Sequence, residues 1–478
     1  MNIQNPIDRL VNPSPLPDAT ERIAALTERV RRGLEYLGAN PANWVPPRDG
    51  IDHDVVIVGG GQTGVAIAFA LRKAGIANFS VIDRAVESRE GVWRTCARMR
   101  TLRSPKHLPG PELGLDTLTL RAWYEAKYGE QAYADILRCG TILWADYVSW
   151  FRAATGIEVR NGTTLQSIEP QPGGFLLNLH TGGKSHRETT RKIILATGMV
   201  GSGAPSIPDT IAGLPKDKWI HTDDVFDLSA YKDLSIGVLG AASSAFDAAA
   251  TAIELGAREA HLFVRHSELA RITRIKGMSY PGVLNHFHEF SDNDRWDLMR
   301  YFLQRSSGPI AETVQRATRF PNFHLHFSAP WDAARMEGDA IVVEAAGKRF
   351  TFDRVIAGTG YRVDMSARPE LSNIAGEIAL WRDRFTPAEE AKNETLARYP
   401  YLGKGFEFLE KHPGAAPYLR NIHCVNNAAL LSFGRAVGEI TSIGHSVPRL
   451  VDRIGADFVV EDRLAHFARM RAFNEPDL

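Results

Sequence analysis

Cysteine is scarce in this chain. Cys96, Cys139 and Cys424 are the only three in 478 residues. They form no C-x-x-C pair and no metal-ligand spacing, which excludes a disulfide framework and points to a reducing compartment. A bias to one sign of charge is lacking too. Lysine plus arginine and aspartate plus glutamate both number 56, so the formal net charge is +0. A general nucleic-acid binder carries a basic excess, so nucleic acid is not an expected partner. No run of about 18 apolar residues free of charge occurs, so no membrane span is expected. The start, MNIQNPIDRL, has no basic segment followed by an apolar one, so no signal peptide is expected and the expected location is cytoplasmic. A nucleophile–base triad and a paired-carboxylate constellation are also missing. What remains is an ordinary globular balance, 44% hydrophobic and 23% charged, with ample chain for a sizeable core. The length suggests about three domains, or two large ones.

The clearest positive signal begins at Asp54, in DVVIVGGGQTGVAIAFALRKAGIANFSVID. The run VVIV reads as a strand buried on both faces of a parallel sheet. A turn with Gly59, Gly61 and Gly64 follows, then a helix, then the strand FSVID. That strand ends on Asp83, about 20 residues past the last glycine, the spacing of the dinucleotide-binding fingerprint. In that fingerprint the glycines let the backbone approach a pyrophosphate, and the free N–H groups of the helix start attract it. An acid at position 83 can accept hydrogen bonds from both ribose hydroxyls and repels a 2′-phosphate, which suits the adenosine of FAD.

The scheme then repeats. SIEPQPGGFLLNLHTGGK reads as a hairpin or meander, and KIILATGMVG as a buried strand ending at Thr197 and Gly198. SIGVLGAASSAFDAAATAIELGA supplies a second strand, turn and helix, EAHLFVRH the next strand, and DAIVVEAAGKRFTFD a second meander. RVIAGTGY then ends at Thr359, Gly360 and Tyr361. Two ordered sets of the same elements predict an α/β protein with two Rossmann-like dinucleotide-binding domains, the second inserted into the first. The expected limits are an N-terminal extension over 1–51, the first domain over 52–205, the second over 206–352, and the rest of the first over 353–478.

In the second turn Gly240 keeps the sharp bend, Ala242 stands where the middle glycine is usual, and Ala245 fills a third position that needs only a small residue. A methyl at Ala242 moves the pyrophosphate outward, while Ser243 and Ser244 add hydroxyl donors. A looser but working site is expected. The strand after this turn leads to Arg265, which favours a 2′-phosphate and therefore NADPH over NADH. The competing reading of Arg265 is a solvated charge at a strand end.

Three further stretches carry alternatives. Ile23, Leu26, Val30, Leu34 and Leu37 lie at helical spacing behind Asp18 and Glu21, which can cap a helix. That helix either docks on the body by its apolar stripe or serves as an oligomer contact or lid. KGMSYPGVLNHFHEFSDNDRW lines a substrate pocket or is a packed loop. His286 with His288, and His324 with His326, form H-x-H pairs, but no third ligand is evident by spacing and no metal is expected.

Beyond these readings, the chain resembles the class B flavoprotein monooxygenases (flavin-containing, N-hydroxylating and Baeyer–Villiger) over roughly residues 52 to 455. Four features carry the resemblance: the Gly59 loop followed by EGVWRT; TLRSPKHL, where flavin-containing members line the reactive face of the flavin; the form G-A-x-x-S-A-F-D from Gly240 to Asp247; and DRVIAGTGY, with Gly358 in place of an alanine. The stretch between the domains departs from the family fingerprint, because His221 lies farther from Gly213 than its spacing allows. The resemblance implies FAD and NADPH as cofactors and a small organic molecule and dioxygen as substrates. It extends the cofactor-binding set to Gln62, Thr63, Arg84, Trp93, Arg94 and Ser104. It implies hydride transfer from NADPH to FAD, then transfer of one oxygen atom from a C4a-peroxyflavin. Arg103 stands about where an asparagine is usual. It is either a catalytic group favouring an anionic peroxide or substrate, or a surface or phosphate contact. The segment CVNNAALLSFGRAVGEITSIGHSVPRLVDRI reads as a strand, a turn and a long helix, which by resemblance closes against the flavin. Two readings compete with the oxygenase: a flavin-binding sensor, scaffold or NADPH oxidase with an impaired second site, and a two-nucleotide disulfide reductase, which would need the missing C-x-x-C.

Overall fold

The structure is a computed structural model that describes residues 12–305, 308–435 and 437–477. The first eleven residues of the N-terminal extension lie outside the described residues. No helix among those described is long and apolar enough to cross a membrane.

Two sheets organise the chain. The first contains, in order, Phe79–Ile82, His53–Val58, Lys184–Leu195, Gly174–Thr181 and Thr163–Gln171, with Ile422–Cys424 also paired to Lys184–Leu195. Lys184–Leu195 does two jobs. Its first half closes the antiparallel hairpin with Gly174–Thr181, and its second half runs parallel to His53–Val58 and to Ile422–Cys424. The second sheet is parallel throughout, in the order Phe323–His326, Glu259–Phe263, Ser235–Leu239, Arg354–Ala357, Trp219–His221. The expected second meander forms a three-stranded antiparallel sheet, Trp331–Glu337, Ala340–Ala345 and Lys348–Phe352. The short strands Gly203–Pro205 and Tyr361–Val363 pair antiparallel where the chain passes between the two sheets. The first sheet is completed by Ile422–Cys424 only after the second sheet has ended, which is the inserted arrangement.

Two expectations about limits change. Arg354–Ala357 pairs with both Ser235–Leu239 and Trp219–His221, so it belongs to the second sheet and not to the part of the first domain drawn from 353 onward. Its Val355 and Ile356 are apolar because both faces of that strand are covered. Conversely, Val283, Phe287, Trp296 and Met299, all within the stretch assigned to the second domain, are buried in the core of the first sheet. Burial decides membership here, not sequence order.

The helix Ala19–Tyr36 forms at the expected apolar stripe and buries Leu26, Val30 and Leu34. Its stripe is spent on the body, beside Trp150, whose indole N–H donates to Thr27 Oγ1 at 3.1 Å. Asp18 is the N-cap residue, but its side chain makes no cap hydrogen bond. Leu37, the last of the expected stripe, lies past the helix end and is exposed. The long helix Ile440–Glu461 crosses behind the first sheet, and charge holds its far end. Arg191 and Lys192, both fully buried, reach Asp462 Oδ2 at 2.8 Å and Glu461 Oε1 at 3.1 Å. Buried charges persist only when paired in this way.

Candidate active site

The first nucleotide turn joins His53–Val58 to the helix Gln62–Lys73. Gly59 has φ +112°, and a Cβ there would stand 2.4 Å from Ala196 O. At Gly64 a Cβ would stand 1.8 Å from Gly59 O. The fold itself therefore demands both glycines. Gly61 differs: its φ is −70° and the nearest atom to a built Cβ is 3.7 Å away. Nothing in the chain requires a glycine there, but a pyrophosphate at close approach does. No side chain caps the helix, so its first N–H groups face outward for an anion. These features fit a dinucleotide.

The neighbouring residues divide their work. Asp83 is buried, its Oδ2 accepts from Gly60 N at 2.7 Å, and its Oδ1 accepts from Ala85 N at 2.7 Å. Burial pushes its carboxyl up against these two bonds. The expectation of a freely offered ribose ligand is thus sharpened: Asp83 first holds the loop, and one lone pair per oxygen remains. Arg84 beside it is exposed. Gln62 accepts from Trp144 Nε1 at 2.8 Å and donates to Gly438 O at 2.9 Å, and Thr63 Oγ1 donates to the same carbonyl at 3.2 Å. Both hook the turn to the segment before the long helix. Thr197 Oγ1 accepts from Asn426 Nδ2 at 3.1 Å, and Gly198 turns at φ +68°.

The second turn repeats this geometry around Gly240, at φ +147°, where a Cβ would stand 2.3 Å from Gly358 O. Ala242 takes the N-cap of the helix Ser243–Glu254 with φ −90° and ψ 169°, close to the −70° and −174° of Gly61. Its methyl and Ser244 are exposed, while Ser243 and Ala245 are buried. No side chain caps this helix either. A Cβ on Gly358 would come 2.6 Å from the Ala245 methyl, which explains the glycine where the family has alanine. Backbone register settles the next element. Gly59 N donates to Ile82 O and Gly240 N to Phe263 O, so Val264 is the counterpart of Asp83, and Arg265 that of Arg84. Arg265 is one residue further along than the direct comparison with Asp83 assumed. It is exposed, and its described side-chain partner is His266 Nε2 at 3.2 Å. Thr359 Oγ1 donates to Ser206 O, Gly360 O accepts from Ser206 N, and Tyr361 Oη donates to Asp223 Oδ1 at 2.6 Å.

One segment ties the turns together. Trp93 packs into the aromatic cluster of Trp123, Tyr124, Tyr147 and Trp144, and Arg94 pairs with Asp146. Further along, Arg98 donates to Thr222 O at 2.8 Å, Arg100 meets Glu254 at 2.9 Å, and Arg103 lies 3.7 Å from Asp247 Oδ2. Burial opposes ionisation of Glu254, but the Arg316 hydrogen bond, with Arg100 and Arg319, holds its carboxyl below the usual range. Arg103 therefore joins the TLRSPKHL segment to the second helix, while Ser104 next to it is half-buried. Gly438, Asn426 and Asp247 were not singled out as site residues by sequence. Asp247 carried a signal as the last letter of G-A-x-x-S-A-F-D, and Asn426 and Gly438 lie in the stretch CVNNAALLSFGRAVGE that by resemblance closes against the flavin.

A small pocket opens beside Gly438, lined by Leu284, Phe406, Phe433, Arg435, Val437 and Arg449. The guanidinium of Arg449 lies 5.9 Å from the Phe406 ring and 5.5 Å from the Phe433 ring. His288 lies tilted beside Phe433 with ring centroids 5.7 Å apart, and burial with the charge of Arg449 pulls its imidazole down to about 4. The stretch from Lys276 thus both packs, through Val283 and Phe287, and lines this pocket, through Leu284.

With this geometry in place, three likenesses are informative. The chain is 36% identical over 449 residues, 93% of it and 94% of the relative, to the FAD-dependent urate hydroxylase of Xanthomonas campestris pv. campestris. The structure superposes on ornithine hydroxylase from Pseudomonas aeruginosa with a TM-score of 0.65 at 15% identity, covering 84% of this chain and 98% of that one. It superposes equally well on the Kutzneria sp. 744 ornithine N-hydroxylase, solved with reduced FAD, NADP⁺ and L-ornithine, with a TM-score of 0.65 at 14% identity over 85% and 99%. The fold is therefore that of the two-dinucleotide-domain flavin monooxygenases. Residues 56–402 match the pyridine nucleotide-disulphide oxidoreductase family, and with that span and the full-length relative the chain belongs to this family of oxidoreductases.

Proposed function

We propose that the protein is an NADPH- and FAD-dependent monooxygenase that hydroxylates a small planar anion of the urate type. The observation that carries this reading is the coupling of the two nucleotide turns by one segment, residues 93–103, whose Arg100 and Arg103 reach Glu254 and Asp247 of the second helix. The full-length kinship to a urate hydroxylase supports the substrate class. The net reaction consumes substrate R–H, dioxygen, NADPH and a proton, and yields R–OH, NADP⁺ and water. Bound FAD supplies oxygen activation, and NADPH supplies the hydride.

The chain's own residues bind, orient and exclude water. The N–H groups at the start of Gln62–Lys73 and the open side of Gly61 take the FAD pyrophosphate. Those at the start of Ser243–Glu254 take the NADPH pyrophosphate, and Arg265 takes the 2′-phosphate by a charge-assisted bond. The FAD unit comprises the first sheet with residues 274–305 and the C-terminal part. The NADPH unit comprises the second sheet through Ala357. Arg449, which hydrogen-bonds to the Asn285 carbonyl, adds positive charge that attracts the anion. The unpaired thiols suit a reducing cytoplasm.

A disulfide reductase is disfavoured, because Cys139 and Cys424 are buried, with thiols pushed up to about 12, and stand apart from Cys96. A sensor with a dead second site is disfavoured by the close match of Ala242 to Gly61 in backbone geometry. The test is to identify the flavin released from the purified protein, then follow NADPH oxidation with and without urate under isotopically heavy dioxygen. Urate-dependent oxidation with one heavy oxygen in the product is expected. Flavin-loaded protein whose NADPH oxidation ignores urate would refute the substrate class, and protein that binds no flavin would refute the oxygenase reading.

A further inference from the structure

The histidines set aside in the sequence for want of a third ligand acquire one in three dimensions. The strands Glu259–Phe263 and Phe323–His326 pair in parallel with His324 opposite His261 and His326 opposite Phe263. Alternate residues of a strand share a face. Glu259 and His261 therefore project beside His324 and His326, at the edge of the second sheet and away from both nucleotide turns.

We propose that Glu259, His261 and His324 bind a divalent transition-metal ion of the zinc type, with His326 positioning His261. One ligand atom from each of the three lies within 4.8 Å of the others. His261 Nε2 and Glu259 Oε2 are already 3.3 Å apart. Two ligands on a tetrahedral zinc, with bonds of roughly 2.0–2.2 Å, stand at about that separation. The imidazole planes of His261 and His324 have centroids 4.4 Å apart, so a rotamer adjustment of His324 completes the triangle.

The surroundings are those a metal site needs. A ligating histidine uses its second nitrogen to hold its orientation, and His261 Nδ1 faces His326 Nε2 at 3.0 Å. When Nδ1–H donates to His326, the Nε2 lone pair of His261 confronts a carboxylate oxygen. Two acceptors face to face call for a cation between them. The other oxygen of Glu259 is fixed by Ser235 Oγ at 2.7 Å. Phe350 and Phe352 back the His261 ring, while the Glu259 side chain is 35% exposed and leaves an entry path. Two imidazoles and one carboxylate suit zinc, nickel or copper better than magnesium or calcium.

A second grouping in the molecule shows what such a cluster looks like when it needs no metal. His53 Nε2 and His186 Nε2 each lie 3.3 Å from Glu188. There the Arg160 guanidinium already bridges both Glu188 oxygens, at 2.6 and 2.8 Å. The only ion pair described for Glu259 is the one with His261.

The test uses tag-free, flavin-loaded, chelator-treated protein titrated with Zn²⁺ against a chromophoric chelator, and with Co²⁺ to read its visible absorption. One equivalent of Zn²⁺ per chain at micromolar affinity is expected, with a Co²⁺ spectrum of low coordination number. His324→Gln and Glu259→Gln should each weaken Zn²⁺ binding by about tenfold or more and remove the Co²⁺ band, and His326→Ala should weaken binding by about tenfold through orientation alone. The paired substitution of His53 and His186 by alanine should change neither reading. Zn²⁺ should also raise the thermal midpoint of the wild type and not that of His324→Gln. Because each variant is first checked for a wild-type melting curve without metal, a failure to fold is read separately from a failure to bind. Absence of stoichiometric Zn²⁺ binding, or binding by folded His324→Gln equal to wild type, would overturn the proposal.

Discussion

In the first nucleotide turn the close contact on the helix side is between Gly64 and the Gly59 carbonyl, whereas in the second turn it is between Ala245 and Gly358. Read one position at a time, Ala245 looks like a lost glycine and Gly358 like a lost alanine. Read as a pair, they are one packing solution, because a Cβ on Gly358 would come 2.6 Å from the Ala245 methyl. The turns also differ after the strand that follows. The first buries Asp83 under its own loop, and the second has Val264 there, leaving charge to the exposed Arg265.

The largest effect should come from forcing the second solution on the first turn. Gly64→Ala puts a Cβ 1.8 Å from Gly59 O, a backbone atom that cannot step aside. We expect a loss of about 3 kcal/mol or more and a largely flavin-free protein, measured by denaturant unfolding and flavin stoichiometry. Ala196→Gly should not rescue it, because the clash is not with that methyl. Next, Gly358→Ala should cost about 1–3 kcal/mol by overpacking. Here Ala245→Gly should relieve the strain, so a double-mutant cycle should show a coupling of about 1 kcal/mol or more. Simple additivity would break the paired-methyl account.

Arg265→Ala should raise the KM for NADPH about 10- to 100-fold and leave that for NADH unchanged, the loss expected for one bond to a charged phosphate. Equal effects on both cofactors would remove the 2′-phosphate from the reading. Acid should act more gently and on both units, because His326 in the second sheet is also held down to about 4, by burial first. His288, held down to about 4 by burial and Arg449, and His423, held down to about 3 by burial, both lie in the first unit. Their folded pKa values lie below the unfolded value of about 6.5, so the unfolded chain binds more protons in between. Stability is therefore full above about pH 6.5 and falls as pH drops toward 4, and His288→Asn should flatten that slope in denaturant titrations at stepped pH. The smallest effect is reserved for Ala242→Gly. The methyl is exposed on a backbone already shaped like Gly61, so NADPH should bind equally or a few-fold tighter by titration. Much weaker binding in the glycine variant would end the idea that Ala242 loosens the cofactor.

Much of this architecture can be read along the chain. VVIV before Gly59 and the matching strand before Gly240 are apolar without alternation because their strands are covered on both faces, and that pattern is local. The demand for glycine at 59 and 240 is local in part, through a positive φ at a strand end, and tertiary in part, through the Ala196 and Gly358 carbonyls. Other features resist such reading for a physical reason. The pocket draws Leu284, Phe406, Phe433 and Arg449 together from separate stretches, and no spacing along the chain says that these side chains meet. Asp83 reads as a ribose ligand, and only the structure shows that Gly60 N and Ala85 N already take one lone pair of each oxygen.

The sequence by itself thus determined two nucleotide turns, their order and the inserted plan, because strand periodicity and turn sterics are properties of neighbouring residues. Only the tertiary structure decided which sheet owns Arg354–Ala357, which residue answers to Asp83, and which histidines meet. His324 finds Glu259 and His261 through the register of a parallel pair. Register is fixed by burial across the whole sheet and not by any residue near the histidine in the chain.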